Sequence, residues 1–537
     1  MKVLFLYPNY YGMNMLPTGV GLLIRALSNA GHETAVFDTT QYVDWFGEDD
    51  DKKKEETLSV RTYDNSRIRA GDKHTDPIID FNVLLSDFSP DLIALSLTED
   101  MYNNGLIFLK SIDSTNRPKV VAGGVFSTFA PELALKSSHG LIDYVLIGEG
   151  EKSLVQLCES LKGDKPLTSV EGIWFLKKDG SVRKSPSPKL IDVNHDPLLP
   201  DFDLFDPNRF YRPMAGQIWR MFPIETARGC PYTCAYCNSP SQATKYAETD
   251  QRFLRKKSMK LVRKEIDHVI SRYQADSIDF WADTFLAISE YEFDEFIEMY
   301  SDIKLPFWIQ NRTETITENR FKKLKDVGLM RVDFGIEHGN EKFREKMLFR
   351  NVSNDSIIEK LKILNDTNVL FATNNIVGFP LETRELAFDT IELNRQINSD
   401  GCSVTTFTPF HGTPLRTLSE ALGFISPGEI CQSVLKPSML RMPHWNTNQI
   451  SGLTRCFVLY ISLPKSLWPE VRKAEEISPQ GDAILKKLSR YALDNGFIFK
   501  DPAYESEKDI EDPDVGPTSD GKAIPMNESF AHPTKTT

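Results

Sequence analysis

Three cysteines in one short stretch are the residues of this chain best suited to inorganic chemistry. Cys230, Cys234 and Cys237 are spaced so that one tight loop can present three thiolates to one metal centre. Three ligands on a cubane of four irons leave one iron without a protein ligand, and an open iron is where a cluster does chemistry. The spacing therefore predicts a [4Fe-4S] cluster held by these three cysteines.

Two other interpretations of the cysteines stay open, a structural zinc site and three unrelated buried thiols. Structural zinc takes four ligands in paired short spacings. The sequence has no second Cys-x-x-Cys and no His-x-x-x-His, so the cluster is favoured over zinc.

The segment from Glu225 to Pro240 resembles the signature of radical S-adenosylmethionine (SAM) enzymes, and the likeness extends over roughly residues 222–416. In that family the open iron binds the amino and carboxylate groups of SAM, and one-electron reduction of the sulfonium gives a 5'-deoxyadenosyl radical. The resemblance implies a [4Fe-4S] cluster and SAM as cofactors, with an electron donor such as flavodoxin or ferredoxin.

The elements that must position this loop alternate between strand and helix patterns. Strands are predicted at 224–227, 277–281, 306–310, 330–336, 369–377 and 403–408. Six βα units favour an open, partial (βα)6 barrel of the TIM type over a complete barrel of eight strands. Chemistry in such barrels collects at the carboxyl ends of the strands, so polar residues there become candidates.

The resemblance gives several of these strand-end residues a role in binding SAM. Asp283 is expected to meet the amino group of SAM or, alternatively, to cap the helix that follows. Gln310 or Arg312 is expected to orient the carboxylate through charge-assisted hydrogen bonds. Glu337 is expected to accept hydrogen bonds from ribose hydroxyl or amino groups.

Three further candidates complete the predicted SAM site. Gly378 would let the backbone approach the adenine, and Tyr236 in the cysteine loop is predicted to contact the cofactor. His411 is predicted either to donate a proton or to be a satisfied structural imidazole.

The first 155 residues show a second alternation of short apolar runs and helical patterns. Strands are predicted at 3–7, 34–38, 92–97, 119–122 and 144–147, with a helix at 19–31. This pattern predicts a Rossmann-like α/β domain, in which ligands bind beyond the carboxyl ends of the strands.

These strand ends resemble the cobalamin-binding domain in front of many radical SAM enzymes. The likeness rests on the helix at 19–31, on Gly123–Glu132 and on Asp143–Glu151. Asn9 stands where methionine-synthase-type domains place a histidine ligand, so the resemblance implies that no protein histidine binds cobalt from below. The predicted cobalamin contacts are Asn9, Thr98, Gly123, Gly124, Gly148 and Glu149.

The remaining segments contain few candidate functional residues. Residues 156–222 are a linker with a hairpin at 172–185, and 46–78 form a solvated charged insertion. Residues 223–416 form the radical SAM core, and 417–500 form a helical cap, containing Trp445 and Trp468, that is expected to set substrate identity. Residues 501–537 are rich in polar residues and are expected to be disordered.

Composition excludes several classes of function. The net charge of -13 gives no electrostatic footprint for nucleic acid. No apolar run approaches the roughly 18 residues that cross a bilayer, which predicts no transmembrane segment. Seven scattered cysteines argue against a disulfide framework and for a reducing compartment, so we expect a cytoplasmic enzyme with a small-molecule substrate.

Together, the two resemblances imply a cobalamin-dependent radical SAM enzyme similar to the class B methyltransferases. Such an enzyme abstracts hydrogen from an unactivated carbon and methylates that carbon from methylcobalamin, on a small-molecule, lipid or pigment substrate. Two alternatives stay open: a cyclase or oxidative rearrangement enzyme with the same cofactors, and a non-catalytic cobalamin or cluster sensor. A tRNA methylthiotransferase is disfavoured because no cysteine precedes Cys158.

Overall fold

A computed structural model describes residues 1–46, 50–114, 117–195 and 197–498. The predicted tail at 501–537 lies outside the described residues. The described chain contains two seven-stranded sheets and a short two-stranded ribbon. Within these residues, no helix has both the length and the apolar character needed to span a membrane.

The first sheet has the strand order β2-β1-β3-β4-β5-β6-β7. Its strands are β1 (Lys2–Tyr7), β2 (Glu33–Asp38), β3 (Leu92–Ser96), β4 (Lys119–Gly123), β5 (Tyr144–Leu146), β6 (Ile173–Leu176) and β7 (Val182–Arg183). The helices of this half are α1 (Thr18–Asn29), α2 (Asp50–Glu56), α3 (Ser66–Arg69), α4 (Pro77–Phe88), α5 (Tyr102–Lys110), α6 (Val125–Phe129), α7 (Pro131–Ser137) and α8 (Gly150–Leu161).

Strands β1 to β5 are parallel, which confirms the Rossmann-like expectation. The run from Val3 to Leu6 is fully buried because helices cover both faces of the sheet, as a parallel sheet requires. The hairpin predicted at 172–185 forms β6 and β7, which extend this sheet in antiparallel fashion from β5.

The second sheet has the order β16-β15-β14-β13-β12-β9-β8. Its strands are β8 (Tyr211–Met214), β9 (Gln217–Glu225), β12 (Ser277–Trp281), β13 (Phe307–Asn311), β14 (Leu329–Glu337), β15 (Leu370–Val377) and β16 (Gly401–Thr406); β10 (Ala227–Arg228) and β11 (Arg255–Lys256) form the ribbon. The helices are α9 (Asn238–Ala247), α10 (Met259–Tyr273), α11 (Glu290–Tyr300), α12 (Glu318–Asp326), α13 (Glu341–Leu348), α14 (Asn354–Asp366) and α15 (Arg384–Arg395).

Six of these strands are parallel, which confirms the partial barrel. The hairpin β8–β9 was not predicted, and β9 begins seven residues before the strand expected at 224. Pro213 lies within β8, which is an edge strand, where a missing backbone donor is tolerated.

Side chains on the two faces of the second sheet have opposite character. Ile278 and Phe280 of β12 are buried in a core with α10, whose apolar stripe includes Val262 and Ile266. The residue between them, Asp279, points to the inner face of the barrel. Helix α10 begins at the N-cap Ser258, whose side chain accepts the backbone N–H of Leu261.

The C-terminal region is helical, with α16 (Pro414–Ala421), α17 (Thr447–Ser462), α18 (Trp468–Ala474) and α19 (Pro479–Asp494). Trp445 and Trp468 are buried in the core of this region. The insertion at 46–78 is less solvated than expected, because Leu58 is buried in the same core and Lys53 donates to the backbone oxygen of Leu435.

Candidate active site

A cavity of about 260 Å³ opens at the carboxyl edge of the second sheet. The structure brings eight of the predicted residues to its wall: Cys230, Cys234, Cys237, Tyr236, Asp283, Gln310, Arg312 and Glu337. The expectation that functional residues collect at the carboxyl ends of the strands therefore predicted much of this wall correctly.

The cysteine loop follows β10 and is held by backbone hydrogen bonds within the loop and to distant segments of the chain. The backbone N–H of Cys237 donates to the oxygen of Cys234 over 3.2 Å, and Ala235 is bonded to Leu348 and Leu415. Burial raises the pKa of the Cys230 thiol and raises that of Cys237 to about 12. A cationic metal centre bound in this cavity would favour the thiolate forms of these side chains.

The three cysteines line one cavity, which is the arrangement that three ligands of one cluster need. Within the described part of the chain, no three His, Cys, Asp or Glu side chains are grouped to hold one metal ion. A cubane spreads its ligands over several irons, so its cysteines need only line one cavity, as Cys230, Cys234 and Cys237 do.

Arg312 is directed at one of these cysteines. Its Nη1 donates to the Sγ of Cys234 over 3.2 Å, and its guanidinium lies 3.8 Å from the ring centroid of Tyr232. Glu314 accepts from the Nε of Arg312 over 3.1 Å. The guanidinium is thus fixed by an aromatic face and a carboxylate while it faces the thiol of Cys234.

Glu337 occupies a strained position at the end of β14. Its φ of +65° lies in the left-handed region, and the pairing of β14 with β15 shifts register between Gly335 and Glu337. The Nη1 of Arg350 donates to Oε1 of Glu337 over 3.0 Å, and Nη2 donates to the oxygen of Gly335 over 2.9 Å. Burial raises the pKa of Glu337.

Asp283 and Asn311 contribute the polar groups of the neighbouring wall. The next helix, α11, is capped by Ser289, so the capping role considered for Asp283 is wrong. Burial raises the pKa of Asp283. Asn311 accepts the backbone N–H of Leu286 through Oδ1, whereas its Nδ2 is buried without a hydrogen-bond partner among the described residues.

Two predicted residues lie outside this cavity. The backbone N–H of Gly378 donates to Glu382 over 2.7 Å. His411 is bound to Glu99, through its backbone N–H over 2.8 Å and through Nδ1 over 2.7 Å. Its Nε2 lies 3.1 Å from the oxygen of Pro427, so both ring nitrogens are already engaged.

The carboxyl edge of the first sheet presents small and polar groups. Gly123 has open space where a side chain would stand, and Thr98 is exposed and hydrogen-bonded to Asp100. Gly124 has a φ of +111°, and a Cβ there would collide with the backbone oxygen of Leu97. Two buried polar atoms of this edge, Oδ1 of Asn9 and Oγ of Ser127, have no partner among the described residues.

Gly148 and Glu149 belong to the contact between the two halves. Gly148 lies against the hydroxyl of Tyr246. Glu149 pairs with Arg228 over 3.1 Å and with Arg255 over 2.5 Å. Burial raises the pKa of Glu149, but the hydrogen bond from Arg255 and the charges of both guanidinium groups outweigh it and leave the pKa below its usual value.

The carboxyl edges of the two sheets face each other. Glu99 follows β3 and reaches His411 beyond β16, and Glu149 follows β5 and reaches Arg228 before the cysteine loop. Lys245 of α9 donates to the backbone oxygen of Thr128 over 3.1 Å. The two predicted cofactor edges therefore meet across one interface.

Several residues of the site were not selected from the sequence. Glu99 stands at a strand end beside Thr98, so the strand-end rule could have found it. Asn311 likewise adjoins Arg312. Arg350 follows α13 rather than a strand, and no local pattern marks it.

Comparison with known proteins agrees with this geometry. Residues 224–393 match the Radical SAM superfamily model. The chain is 25% identical over 395 residues to an uncharacterized methyltransferase, PH0819, of Pyrococcus horikoshii, which covers 73% of this chain and 83% of that protein. It is 23% identical over 434 residues to the anaerobic magnesium-protoporphyrin IX monomethyl ester cyclase of Cereibacter sphaeroides, covering 77% of this chain and 63% of the cyclase.

The fold is similar to that of a solved structure of the cobalamin-dependent S-adenosylmethionine radical enzyme OxsB with aqua-cobalamin and S-adenosylmethionine bound. The TM-score is 0.62 at 14% identity, covering 92% of this chain and 71% of OxsB. The family match includes the loop of Cys230, Cys234 and Cys237 and the strand ends that surround it. Residues 224–393 of this chain are therefore a radical SAM domain.

Proposed function

We propose that this protein is a cobalamin-dependent radical SAM C-methyltransferase. The observation that carries the proposal is that the carboxyl edges of the two sheets meet. The edge of the second sheet has three cysteines at a cavity. The edge of the first sheet has the glycines Gly123 and Gly124 and two buried polar atoms that lack a partner among the described residues. The methyltransferase name of the Pyrococcus horikoshii relative and the cobalamin bound to OxsB support it.

The residues at the second edge fit a cluster with SAM. Cys230, Cys234 and Cys237 would hold three irons. The unpartnered Nδ2 of Asn311 is a donor suited to the SAM carboxylate, and Asp283 is an acceptor suited to the amino group. Glu337 would accept a ribose hydroxyl while Arg350 fixes its direction.

The residues at the first edge fit a large amide-bearing cofactor such as cobalamin. Gly123 and Gly124 allow close approach to the backbone, and Asn9 and Ser127 offer buried hydrogen-bonding atoms that lack a protein partner. Asn9 also occupies the position expected for the lower face, and its Nδ2 is committed to Met13 and Thr40.

When bound, these cofactors supply a 5'-deoxyadenosyl radical to abstract a hydrogen atom and a methyl group for the substrate carbon. The protein binds and orients them. Arg312 and Arg350 place positive charge beside Cys234 and Glu337, and Glu99 and Glu149 hold the two edges together.

An electron donor of the flavodoxin or ferredoxin type and a cytoplasmic location belong to this proposal. The radical chemistry needs a one-electron reductant, and the seven scattered cysteines are consistent with a reducing compartment.

A cyclisation or oxidation is the second candidate, because the Cereibacter sphaeroides relative is a cyclase. The two functions differ in the mass of the product. Methyl transfer adds a methyl group from SAM, whereas cyclisation or oxidation removes hydrogen or water.

The test uses full-length protein reconstituted anaerobically with iron, sulfide and hydroxocobalamin. It is incubated with a reductant, an extract of the source cells and SAM that carries a deuterated methyl group. The proposal predicts 5'-deoxyadenosine together with a labelled product, both absent in Cys234→Ala. Formation of 5'-deoxyadenosine with an unlabelled product that has lost hydrogen would overturn it in favour of the second candidate.

A further inference from the structure

A second cavity lies at the free edge of the first sheet, away from the cysteine loop. Strand β2 pairs with β1 alone among the described strands, so its other side is open. A cavity of about 280 Å³ lies against this side. We call six of its lining residues the edge groove: Val36, Gln41, Asp80, Leu84, Leu204 and Asp206. None of the residues predicted to bind the cluster, SAM or cobalamin lines this cavity.

The backbone of β2 offers hydrogen bonds to the edge groove. The N–H of Glu33 donates to the oxygen of Met1 over 3.0 Å, and that of Thr39 donates to the oxygen of Tyr7 over 3.2 Å. Every second residue of a parallel strand bonds to the same neighbour, so the even-numbered residues between Glu33 and Thr39 turn their N–H and C=O groups away from β1. Val36 is one of these residues, and it lines the groove. An extended segment can therefore continue the sheet at this edge.

The two walls of the edge groove each pair an apolar side chain with a carboxylate. Helix α4 supplies Leu84 and Asp80, and the linker between the two sheets supplies Leu204 and Asp206. Leu204 is 41% exposed. Successive side chains of a strand point in opposite directions, so a strand added beside β2 would meet both kinds of group on each wall.

Both carboxylates keep one oxygen without a partner. Asp80 accepts the hydroxyl groups of Tyr42 and Thr75 through Oδ2. Asp206 accepts the backbone N–H and the side-chain amide of Asn208 through Oδ1. The other oxygen of each carboxylate forms no hydrogen bond or ion pair among the described residues. The groove therefore presents two carboxylate oxygens to whatever occupies it.

The two cations beside the edge groove are engaged elsewhere. Arg209 pairs with Asp38 over 2.8 Å. The ammonium group of Lys73 lies over the ring of Tyr42, 5.0 Å from its centroid. Within the described part of the chain, neither cation forms an ion pair with the two carboxylates of the groove, so these carboxylates favour a positively charged occupant.

Gln41 adds a buried amide that the protein does not use. This residue is 7% exposed and lines the groove, and its side chain has no hydrogen-bond partner among the described residues. Its Nε2 lies against Gly71, where a Cβ would come within 2.0 Å of it. A buried amide without a partner is costly, and a bound polar segment would remove that cost.

We propose that the edge groove binds an extended, positively charged segment of a partner protein, which adds to the first sheet as a strand beside β2. The backbone of the segment pairs with Val36, its lysine or arginine side chains pair with Asp80 and Asp206, and its apolar side chains contact Leu84 and Leu204.

Charge argues against two other occupants. A second copy of this chain, paired edge to edge, would bring the same carboxylates toward each other. Residues 499–537 contain nine Asp or Glu and four Lys, so this segment of the chain also carries the wrong sign of charge.

The first test measures the binding of synthetic peptides to the full-length protein by fluorescence anisotropy. The probe is a labelled eight-residue peptide in which pairs of valines alternate with pairs of lysines, which places both kinds of side chain on each wall. The inference predicts that this lysine peptide binds and that the same peptide with glutamate in place of lysine does not.

A methylated probe separates strand addition from simple attraction of charge. Methylation of alternate backbone nitrogens of the lysine peptide removes donors for strand pairing and keeps every charge, so it should weaken binding by about tenfold. Equal affinity of the two lysine peptides would overturn the inference, and so would the absence of binding by either.

The second test uses variants of the edge groove with the lysine peptide. Val36→Pro removes an outward N–H that β1 does not use, and an edge strand tolerates proline, so the variant should fold and bind about tenfold more weakly. The double variant Asp80→Asn with Asp206→Asn should also bind more weakly and lose part of the salt dependence. Asp294→Asn, an exposed carboxylate paired with Lys323, is the matched control and should bind like wild type. Wild-type affinity in both groove variants would overturn the inference.

Two further outcomes would assign the groove to another occupant and overturn the inference. The first is a wild-type dimer in sedimentation experiments that Val36→Pro dissociates, which would identify a second copy. The second is displacement of the lysine peptide by a synthetic peptide of residues 499–537, which would identify that segment of the chain.

Discussion

Arg312 donates a hydrogen bond to the Sγ atom of Cys234, with Nη1 and Sγ separated by 3.2 Å. Tyr232 and Glu314 hold the guanidinium in place, so the contact is pre-organised. Hydrogen bonds and positive charge next to a sulfur ligand favour the reduced, more negative state of an iron–sulfur cluster. The same arginine was expected from the sequence to orient the SAM carboxylate.

Replacing Arg312 should therefore change the reduction potential. In Arg312→Gln the positive charge is lost, and the midpoint potential of the reconstituted cluster should become more negative, by about 59 mV for each tenfold change in the reduction equilibrium. An EPR-monitored redox titration measures this, with the exposed Arg263→Gln as control. An unchanged midpoint potential together with weaker binding of SAM would contradict this prediction and would indicate that Arg312 orients the SAM carboxylate.

The pairing of Glu149 with Arg228 and Arg255 should stabilise the cysteine loop. Glu149→Gln leaves the partly buried guanidinium of Arg255 without its carboxylate and removes one of the three carboxylates around Arg228, which also pairs with Glu151 and Glu225. This should cost about 3 kcal/mol in free energy of unfolding and lower the iron bound after reconstitution. Chemical denaturation and iron analysis check both effects. The control variant, Glu132→Gln, removes an exposed partner of Lys136 and Lys184 and should change the free energy of unfolding by less than about 1 kcal/mol. Equal losses of stability in the two variants would refute the special role of Glu149.

Glu99 should make the interface sensitive to acid. Burial raises its pKa, but hydrogen bonds from His411 and the backbone of Cys431 outweigh it, and the pKa of Glu99 is held below its usual value. A lowered pKa in the folded state stabilises the protein above about pH 4.5, and this contribution is lost as pH falls through the folded pKa.

The comparison of wild type with Glu99→Gln isolates this contribution. At pH 7 the variant should be less stable by about 1–3 kcal/mol. The difference should shrink as the pH is lowered below about 4.5, which thermal unfolding across pH measures. A difference that stays constant with pH would show that the charge of Glu99 does not matter.

A substitution at Gly124 tests whether the carboxyl edge of the first sheet binds cobalamin. A side chain there has an unfavourable φ and collides with the oxygen of Leu97, so Gly124→Ala should shift the turn after β4 and weaken cobalamin binding, with a stability loss of about 1–3 kcal/mol. Gly163→Ala is the matched control, because it has a φ of +92° and open space around the added Cβ. Corrinoid absorbance titrations compare the two, and equal affinity would place cobalamin elsewhere.

Local sequence patterns predicted the strands and much of the cavity wall, because parallel strands bring their carboxyl ends together regardless of loop detail. The parallel strands of both sheets lie within a few residues of their predicted positions, apart from the early start of β9. Asp283, Arg312 and Glu337 line the same cavity for this reason.

The rest depended on contacts between distant segments. Arg350 reaches Glu337 from the loop after α13, and Glu99 reaches His411 across 312 positions of the chain, which no local pattern encodes. His411 was predicted either to donate a proton or to be a structural imidazole, and Glu149 was predicted to contact cobalamin; the structure places both at the interface between the halves. Strand β8 was not predicted because 156–222 carries few periodic signals, and its Pro213 is tolerated at a sheet edge.

The most direct test of the central claim is the response of the anaerobically reconstituted cluster to SAM. Wild-type protein should bind four irons in one cluster, show a reduced EPR signal that changes when SAM is added, and release 5'-deoxyadenosine, whereas Cys234→Ala should do none of these. Protein that holds only zinc, or a cluster whose EPR signal ignores SAM and that forms no 5'-deoxyadenosine, would contradict the account.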